Sequence, residues 1–135
     1  MQAQLNSSAE PPALGVDIVR VERIANVMQR HPSRFPARVL TDAEQAHVRA
    51  RPENFAGRWA AKEAVSKLLG LGIRGIGWRE IEIDRLQTGQ PIVHLHGSAA
   101  ERATAIGIAA IAVSITHERE YAVAVAYGQR AIREA

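Results

Sequence analysis

Four ionisable residues stand where a folding chain does not place them without cause. Asp17 interrupts the apolar stretch Leu14 to Val21 (LGVDIVRV), Glu63 and Lys67 lie in the alanine-rich run Trp59 to Lys67 (WAAKEAVSK), and His117 ends Val113-Ser-Ile-Thr-His. Strand interiors disfavour aspartate, so Asp17 is a local inconsistency, and such inconsistencies concentrate at functional sites. Two carboxylates are ligands for a hard cation, and a compact ammonium beside them can touch phosphate. Of the 17 lysine and arginine residues, only Lys62 and Lys67 are lysine, and both fall in this run. On a helix, Trp59, Glu63 and Lys67 share one stripe with Ser66 beside it, and Lys62 lies on the flank, four before Ser66. Ala60, Ala61, Ala64, Val65 and Leu68 pack inward. The plain alternative is a surface salt bridge from Glu63 to Lys67, but arginine would serve there as well, and this chain uses arginine almost everywhere else. For Asp17 the alternative is a local cap, and for His117 a structural role.

The elements that must position these residues follow from the rest of the chain. A length of 135 residues predicts one domain, spanning 14–128 between a disordered leader (1–13) and a short tail (129–135). Hydrophobic residues make up 47% and aromatics only 4%, so the core is built from Ala, Val, Ile and Leu. The absence of cysteine excludes disulfides and thiolate sites and fits a reducing compartment, hence a cytoplasmic location. The longest run without a polar side chain, Ala105 to Val113, is far short of the roughly 20 residues a membrane span needs. Residues 1–13 carry no signal-peptide pattern. The net charge of +3 suits an acidic partner or a phosphate-bearing ligand without choosing between them.

Leu14 to Val21 reads as a strand and Arg20 to Gln29 as a helix. Pro32 and Pro36 break the chain before a second short helix. Thr41-Asp-Ala-Glu44 is a capping box opening a helix to about Arg49. A long helix runs from about Glu53 to Leu69, with Pro52 at its start and Gly70 at its end. Glycines 70, 72, 75 and 77 make a loop. Arg79 to Asp84 alternates as a strand, Thr88 to Pro91 turns, and Ile92 to His96 returns. Ser98 is expected to cap a helix to about Ile106. Ala110 to Thr116 and Tyr121 to Tyr127 pair through a tight turn. The fold class is α+β, a mainly antiparallel sheet with a long central helix.

Gly15-Val-Asp17-Ile, Phe55-Ala-Gly-Arg58-Trp-Ala-Ala-Lys62-Glu63-Ala-Val-Ser66-Lys67, Gly89-Gln-Pro91 and Val113-Ser-Ile-Thr-His117 together resemble the motif set of holo-acyl-carrier-protein synthase. This is the small, single-domain type of 4′-phosphopantetheinyl transferase. The four motifs occur in order between about residues 14 and 127. The resemblance implies transfer of phosphopantetheine from coenzyme A to a serine of acyl carrier protein, with release of 3′,5′-ADP. It implies that Asp17 and Glu63 hold Mg2+, which grips the coenzyme A pyrophosphate, and that Lys67 contacts the phosphates. Arg58, Ser66 and His117 would line the nucleotide pocket, with Gly89, Gln90 and Pro91 bordering the adenine. A trimer-forming fold is implied as well, a homotrimer with the site between subunits. The Gly89–Pro91 turn would come from the neighbour. Departures from the pattern are an extra residue near Arg30-His-Pro-Ser-Arg34, Glu118 after His117, Leu71 between the glycines, and residues 1–13.

Arg20, Arg23, Arg30, Arg34 and Arg38 recur at nearly helical intervals. A basic stripe of this kind is either a solvated face or a steering surface for an acidic partner. By the resemblance, Arg23, Arg30, Arg34 and Arg38 dock the acyl carrier protein. Two other readings use part of the inventory. A polyanion-binding module would use the arginines but gives Asp17 and Glu63 no role, and the scarcity of aromatic platforms argues against nucleic acid. A magnesium-dependent phosphoesterase would use the ions without a carrier.

Overall fold

The computed structural model describes residues 10–70, 72 and 76–132. Residues 1–9 of the expected leader, Leu71 and Gly75 of the glycine loop, and residues 133–135 of the tail lie outside that range. The elements run β1 (Ala13–Arg20), α1 (Val21–Arg30), α2 (Arg34–Val39), α3 (Asp42–Val48), α4 (Pro52–Leu68), a 3-10 turn (Trp78–Glu80), β2 (Ile81–Arg85), β3 (Pro91–Leu95), α5 (Gly97–Ala105), β4 (Ile108–His117) and β5 (Tyr121–Arg130). All strand pairs are antiparallel, in one sheet of order β1-β5-β4 and a separate β2-β3 hairpin. The α+β class and the central helix are as expected.

Helix α4 lies on the inner face of the three-stranded sheet, and small residues meet there from both sides. Ala56, Gly57, Ala60, Ala61 and Ala64 are buried on the helix, and Ala122, Ala124, Ala126 and Gly128 are buried along β5. With few long side chains between them, the backbones approach closely. A Cβ on Gly15 of β1 would collide with the Ala64 carbonyl, and one on Gly57 would stand 3.0 Å from Ile115. The first contact seats β1 against α4 two residues before Asp17. At the far end Arg102 of α5 donates to the Leu69 carbonyl at 2.9 Å, placing a cation at the negative end of α4.

Two local expectations need correction. Arg79 and Glu80 belong to the 3-10 turn, so the strand begins only at Ile81. Ser98 is not a helix cap: His96 holds the N-cap position of α5 without a side-chain cap. The Glu80 carboxylate does the capping instead, accepting from the Ser98 amide at 3.0 Å and the Ser98 hydroxyl at 2.7 Å. These bonds favour its charged form and hold Glu80 below the usual carboxylate range.

The opposite face of the sheet is apolar and open. Leu14, Val16 and Ile18 on β1 and Val125 and Tyr127 on β5 point away from α4, with Leu14, Val16 and Ile18 more than half exposed. Such a contiguous apolar face marks an interaction surface on a protein of this size.

Candidate active site

Asp17, Glu63 and Lys67 meet at the edge of the sheet where β1 runs under α4. Asp17 sits on the inner face of β1, opposite Ala124. Lys67 does not pair with Glu63 as an isolated helix would predict. Its Nζ reaches across to Asp17 Oδ1 at 3.1 Å and to the Val16 carbonyl at 3.0 Å. Glu63 stands beside this pair. Burial first, and the neighbouring Asp17 charge second, push its carboxyl above the usual range, against the opposing pull of Lys67 and Arg23. Two carboxylates are thus held close together with less than full compensation. Among the described residues no third carboxylate, histidine or cysteine joins them in a group that could enclose a metal ion.

Arg23 is nearer to this centre than a rim position suggests. Its guanidinium lies over the Trp59 ring, 5.9 Å from the centroid, and its charge is felt at Glu63. Trp59 in turn packs against Trp78, with centroids 4.0 Å apart and rings tilted by 31°, and stands 5.8 Å from Phe35, which stacks on Phe55 at 4.8 Å. In a chain with two Phe, two Trp and two Tyr, four of the six aromatic rings form this one ladder. The arginine stripe itself divides. Arg20 ends β1 and lies 5.8 Å from the Tyr121 centroid, Arg23 and Arg30 are on α1, and Arg34 and Arg38 are on α2. Arg34 and Arg38, with His31, rim a groove floored by Val27, Phe35 and Ala37.

The other expected residues are dispersed around the chain. Arg58 is 2% exposed, and its Nε and Nη2 groups have no hydrogen-bond partner among the described residues. Burial and the charge of Arg85 disfavour its charged form, while Glu44 and Asp84 support it. A guanidinium stays charged regardless, so burying one with unused donors costs free energy. Ser66 is buried, and its hydroxyl is turned back onto the Glu63 carbonyl at 2.8 Å. The Gly89–Pro91 turn is the tip of the β2-β3 hairpin, where Gly89 has φ +89. His117 ends β4, exposed, opposite Ala122. Among the described residues neither the turn nor His117 makes a hydrogen bond or ion pair with Asp17, Glu63 or Lys67.

The expectation that Lys62 lies on the flank of the helix is wrong. Lys62 is fully buried and donates to Glu44 Oε1 at 2.7 Å, to the Trp78 carbonyl at 3.0 Å and to the Ile81 carbonyl. Glu44 also accepts from the Thr41 amide at 3.0 Å and the Ile83 amide at 3.2 Å. The sequence did hold a signal. Arg58, Lys62, Ser66 and Leu69 fall on one face of α4, and the structure buries all four. Glu44 was concealed by its capping box, which is present as expected and explained it locally.

The 4′-phosphopantetheinyl transferase superfamily profile matches residues 13–126. A holo-[acyl-carrier-protein] synthase of Herpetosiphon aurantiacus is 41% identical over 121 residues, covering 84% of this chain and 95% of that protein. The crystal structure of Helicobacter pylori holo-[acyl-carrier-protein] synthase in complex with coenzyme A superposes with a TM-score of 0.79 at 29% identity, covering 86% of this chain and 99% of that one. The Neisseria meningitidis holo-[acyl-carrier-protein] synthase gives 0.80 at 29% identity, covering 87% and 98%. With the motifs in order and the fold shared along nearly its whole length, the chain belongs to the 4′-phosphopantetheinyl transferase superfamily, in its group of holo-[acyl-carrier-protein] synthases.

Proposed function

We propose that this chain transfers 4′-phosphopantetheine from coenzyme A to a serine of an apo-acyl carrier protein, leaving holo-carrier and 3′,5′-ADP. The observation that carries the reading is the meeting of Asp17, Glu63 and Lys67 from distant parts of the chain at one sheet edge. Phosphoryl transfer asks little covalent chemistry of a protein; it needs positioned charge. The two carboxylates fit Mg2+, which takes one or two carboxylates and fills its remaining positions with water and substrate phosphate. Burial first and the Asp17 charge second raise the Glu63 carboxyl, and a bound cation would offset both. When bound, the ion supplies charge neutralisation at the pyrophosphate.

Lys67 holds Asp17 in place and offers its remaining N–H to a phosphate oxygen. Arg58, with two unused buried donors, is the anion ligand that the nucleotide end of coenzyme A requires. Ser66, His117 and the Gly89–Pro91 turn complete the nucleotide pocket. In a single chain the Gly89–Pro91 turn and His117 make no bond to the carboxylates, which supports a pocket completed by a neighbouring subunit. The open apolar face of Leu14, Val16, Ile18, Val125 and Tyr127 supplies the surface for a homotrimer. Arg23, Arg30, Arg34 and Arg38 steer an acidic carrier to this edge.

Incubation of the protein with coenzyme A, Mg2+ and an apo-carrier separates this reading from the others. The carrier should gain the mass of phosphopantetheine, and 3′,5′-ADP should appear in equal amount. Hydrolysis of coenzyme A without a carrier adduct would make the protein a phosphoesterase. Carrier or polyanion binding with no chemistry would make it a binding module.

A further inference from the structure

Helix α4 presents an unusual packing problem. It meets the sheet mainly through small residues, Ala56, Gly57, Ala60, Ala61 and Ala64, with Leu68 near its end packed against Gly128 of β5. Large side chains interlock as ridges in grooves and so fix how far a helix is rotated and shifted. A face rich in alanine is smoother and leaves the rotation to a few larger side chains and close backbone contacts. Yet the site needs a definite rotation, because Glu63 and Lys67 must both present themselves to Asp17 on another strand.

Lys62 adds a polar constraint on that rotation. Its ammonium has three N–H donors, and the structure provides three acceptors from three elements: Glu44 on α3, the Trp78 carbonyl of the 3-10 turn and the Ile81 carbonyl of β2. Among the described residues, Lys62 and Lys67 are the only α4 side chains that hydrogen-bond to another element. The two point to different sides of the helix. Turning α4 far enough to carry Glu63 away from Asp17 would pull Lys62 from all three acceptors. Those acceptors are themselves fixed, because Glu44 is held by the Thr41 and Ile83 amides. The junction reaches the site by a second route. Trp78, whose carbonyl Lys62 holds, packs against Trp59, and Trp59 carries Arg23 beside Glu63.

We propose that Lys62 is a positioning residue for the transfer: it sets the rotation of α4 so that Glu63, Lys67 and Arg23 converge on Asp17. Its place in the reaction rests on the functional reading above; its place in the packing does not. Lys62 contacts neither substrate nor metal, and it acts through the helix and through the Trp78–Trp59 contact.

The test uses the full chain and the pair variant Lys62→Met with Glu44→Gln. This removes both members of the buried pair together and keeps one acceptor oxygen where Glu44 serves the Thr41 and Ile83 amides. Assayed well below its melting temperature with coenzyme A, Mg2+ and apo-carrier, the variant should lose about tenfold to a hundredfold in kcat, the penalty of a site displaced by about an ångström. The KM for coenzyme A should change by less than about threefold, since the nucleotide contacts lie elsewhere. Emission from Trp59 and Trp78, the two tryptophans of the chain, should shift in the folded variant as their contact loosens. A merely structural role predicts a lowered melting temperature with normal kcat, and that result overturns the proposal. So does a fall in kcat with unchanged tryptophan emission. Should the pair variant fail to fold, Glu44→Gln alone decides. It leaves both carbonyl bonds of Lys62 in place and should cost about threefold in kcat with a smaller emission shift. Wild-type kcat in that variant overturns the proposal. An inactive wild-type protein would instead refute the functional reading, and the emission measurement would still judge the register.

Discussion

Helix α4 separates two polar clusters that share the same residue types and differ in every other respect. On one side, Lys62 and Glu44 are buried and saturated with hydrogen bonds. On the other, Asp17, Glu63 and Lys67 are partly open to solvent, and the carboxylates repel each other. A satisfied buried network specifies one arrangement of the elements around it and has nothing left to offer a ligand. The second cluster is only partly compensated, and a local conflict that folding does not resolve is the mark of a group waiting for a partner. The two lysines, five residues apart, therefore do opposite work. One holds the helix, and the other serves what the helix presents.

The sharpest way to break this contrast is to remove one charge from each cluster. Lys62→Ala leaves Glu44 as an unpaired buried anion and should cost about 3–5 kcal/mol of stability, measured by denaturant unfolding. A loss below about 1 kcal/mol, the range of exposed ion pairs, would show that the Lys62 side is no more committed than the site.

Glu63→Gln should do the reverse. Turnover should fall by roughly two orders of magnitude or more, as expected when metal charge stabilisation worth several kcal/mol is impaired. The stability of the ligand-free protein should hold or rise. The sign follows from the raised carboxyl. The folded state retains the Glu63 proton to higher pH than the unfolded state does, so its contribution to stability is present at low pH. That contribution is lost as pH rises through the folded value. Melting curves from pH 4 to 7 should show that loss in the ligand-free wild type and not in Glu63→Gln. A variant that melts lower than wild type throughout would place Glu63 with the structural cluster.

The smallest expected effect divides the arginines by their distance from the second cluster. Arg30→Glu and Arg34→Glu, on the rim, should raise the KM for carrier by about tenfold at low salt and leave the constant for coenzyme A within about twofold, because screening limits their reach to roughly 8–10 Å. Arg23→Glu should raise the carrier constant and also reduce kcat, since its charge acts on Glu63. If all three variants acted on carrier alone, Arg23 would belong to the rim despite its seat on Trp59.

Much of this was legible from residues alone, for identifiable reasons. Asp17 announced itself because a strand core excludes a charge that has no work to do. The capping box, Pro52 and Gly70 marked helix boundaries because capping is chemistry between near neighbours, and the structure keeps all three. Ser98 was misread because the group capping its helix, Glu80, is 18 residues away. Lys62 was misread because α4 carries small residues on most sides and is buried on most sides. Periodicity identifies a buried face only when there is a polar face to contrast with it.

The order of the motifs, the spacing of Glu63 and Lys67 on one helical stripe, and the placing of Asp17 within a strand were settled by the chain itself. Each depends on contacts within a few residues, where backbone geometry leaves little choice. Tertiary structure decided which lysine faces the site, that Lys67 crosses to Asp17 and leaves Glu63 to repel it, and that Arg23 belongs beside Glu63. Those outcomes depend on how far one backbone can approach another. Here that distance was set by glycine and alanine at the interface of α4 with the sheet, and by three acceptors that only folding brings to one ammonium group.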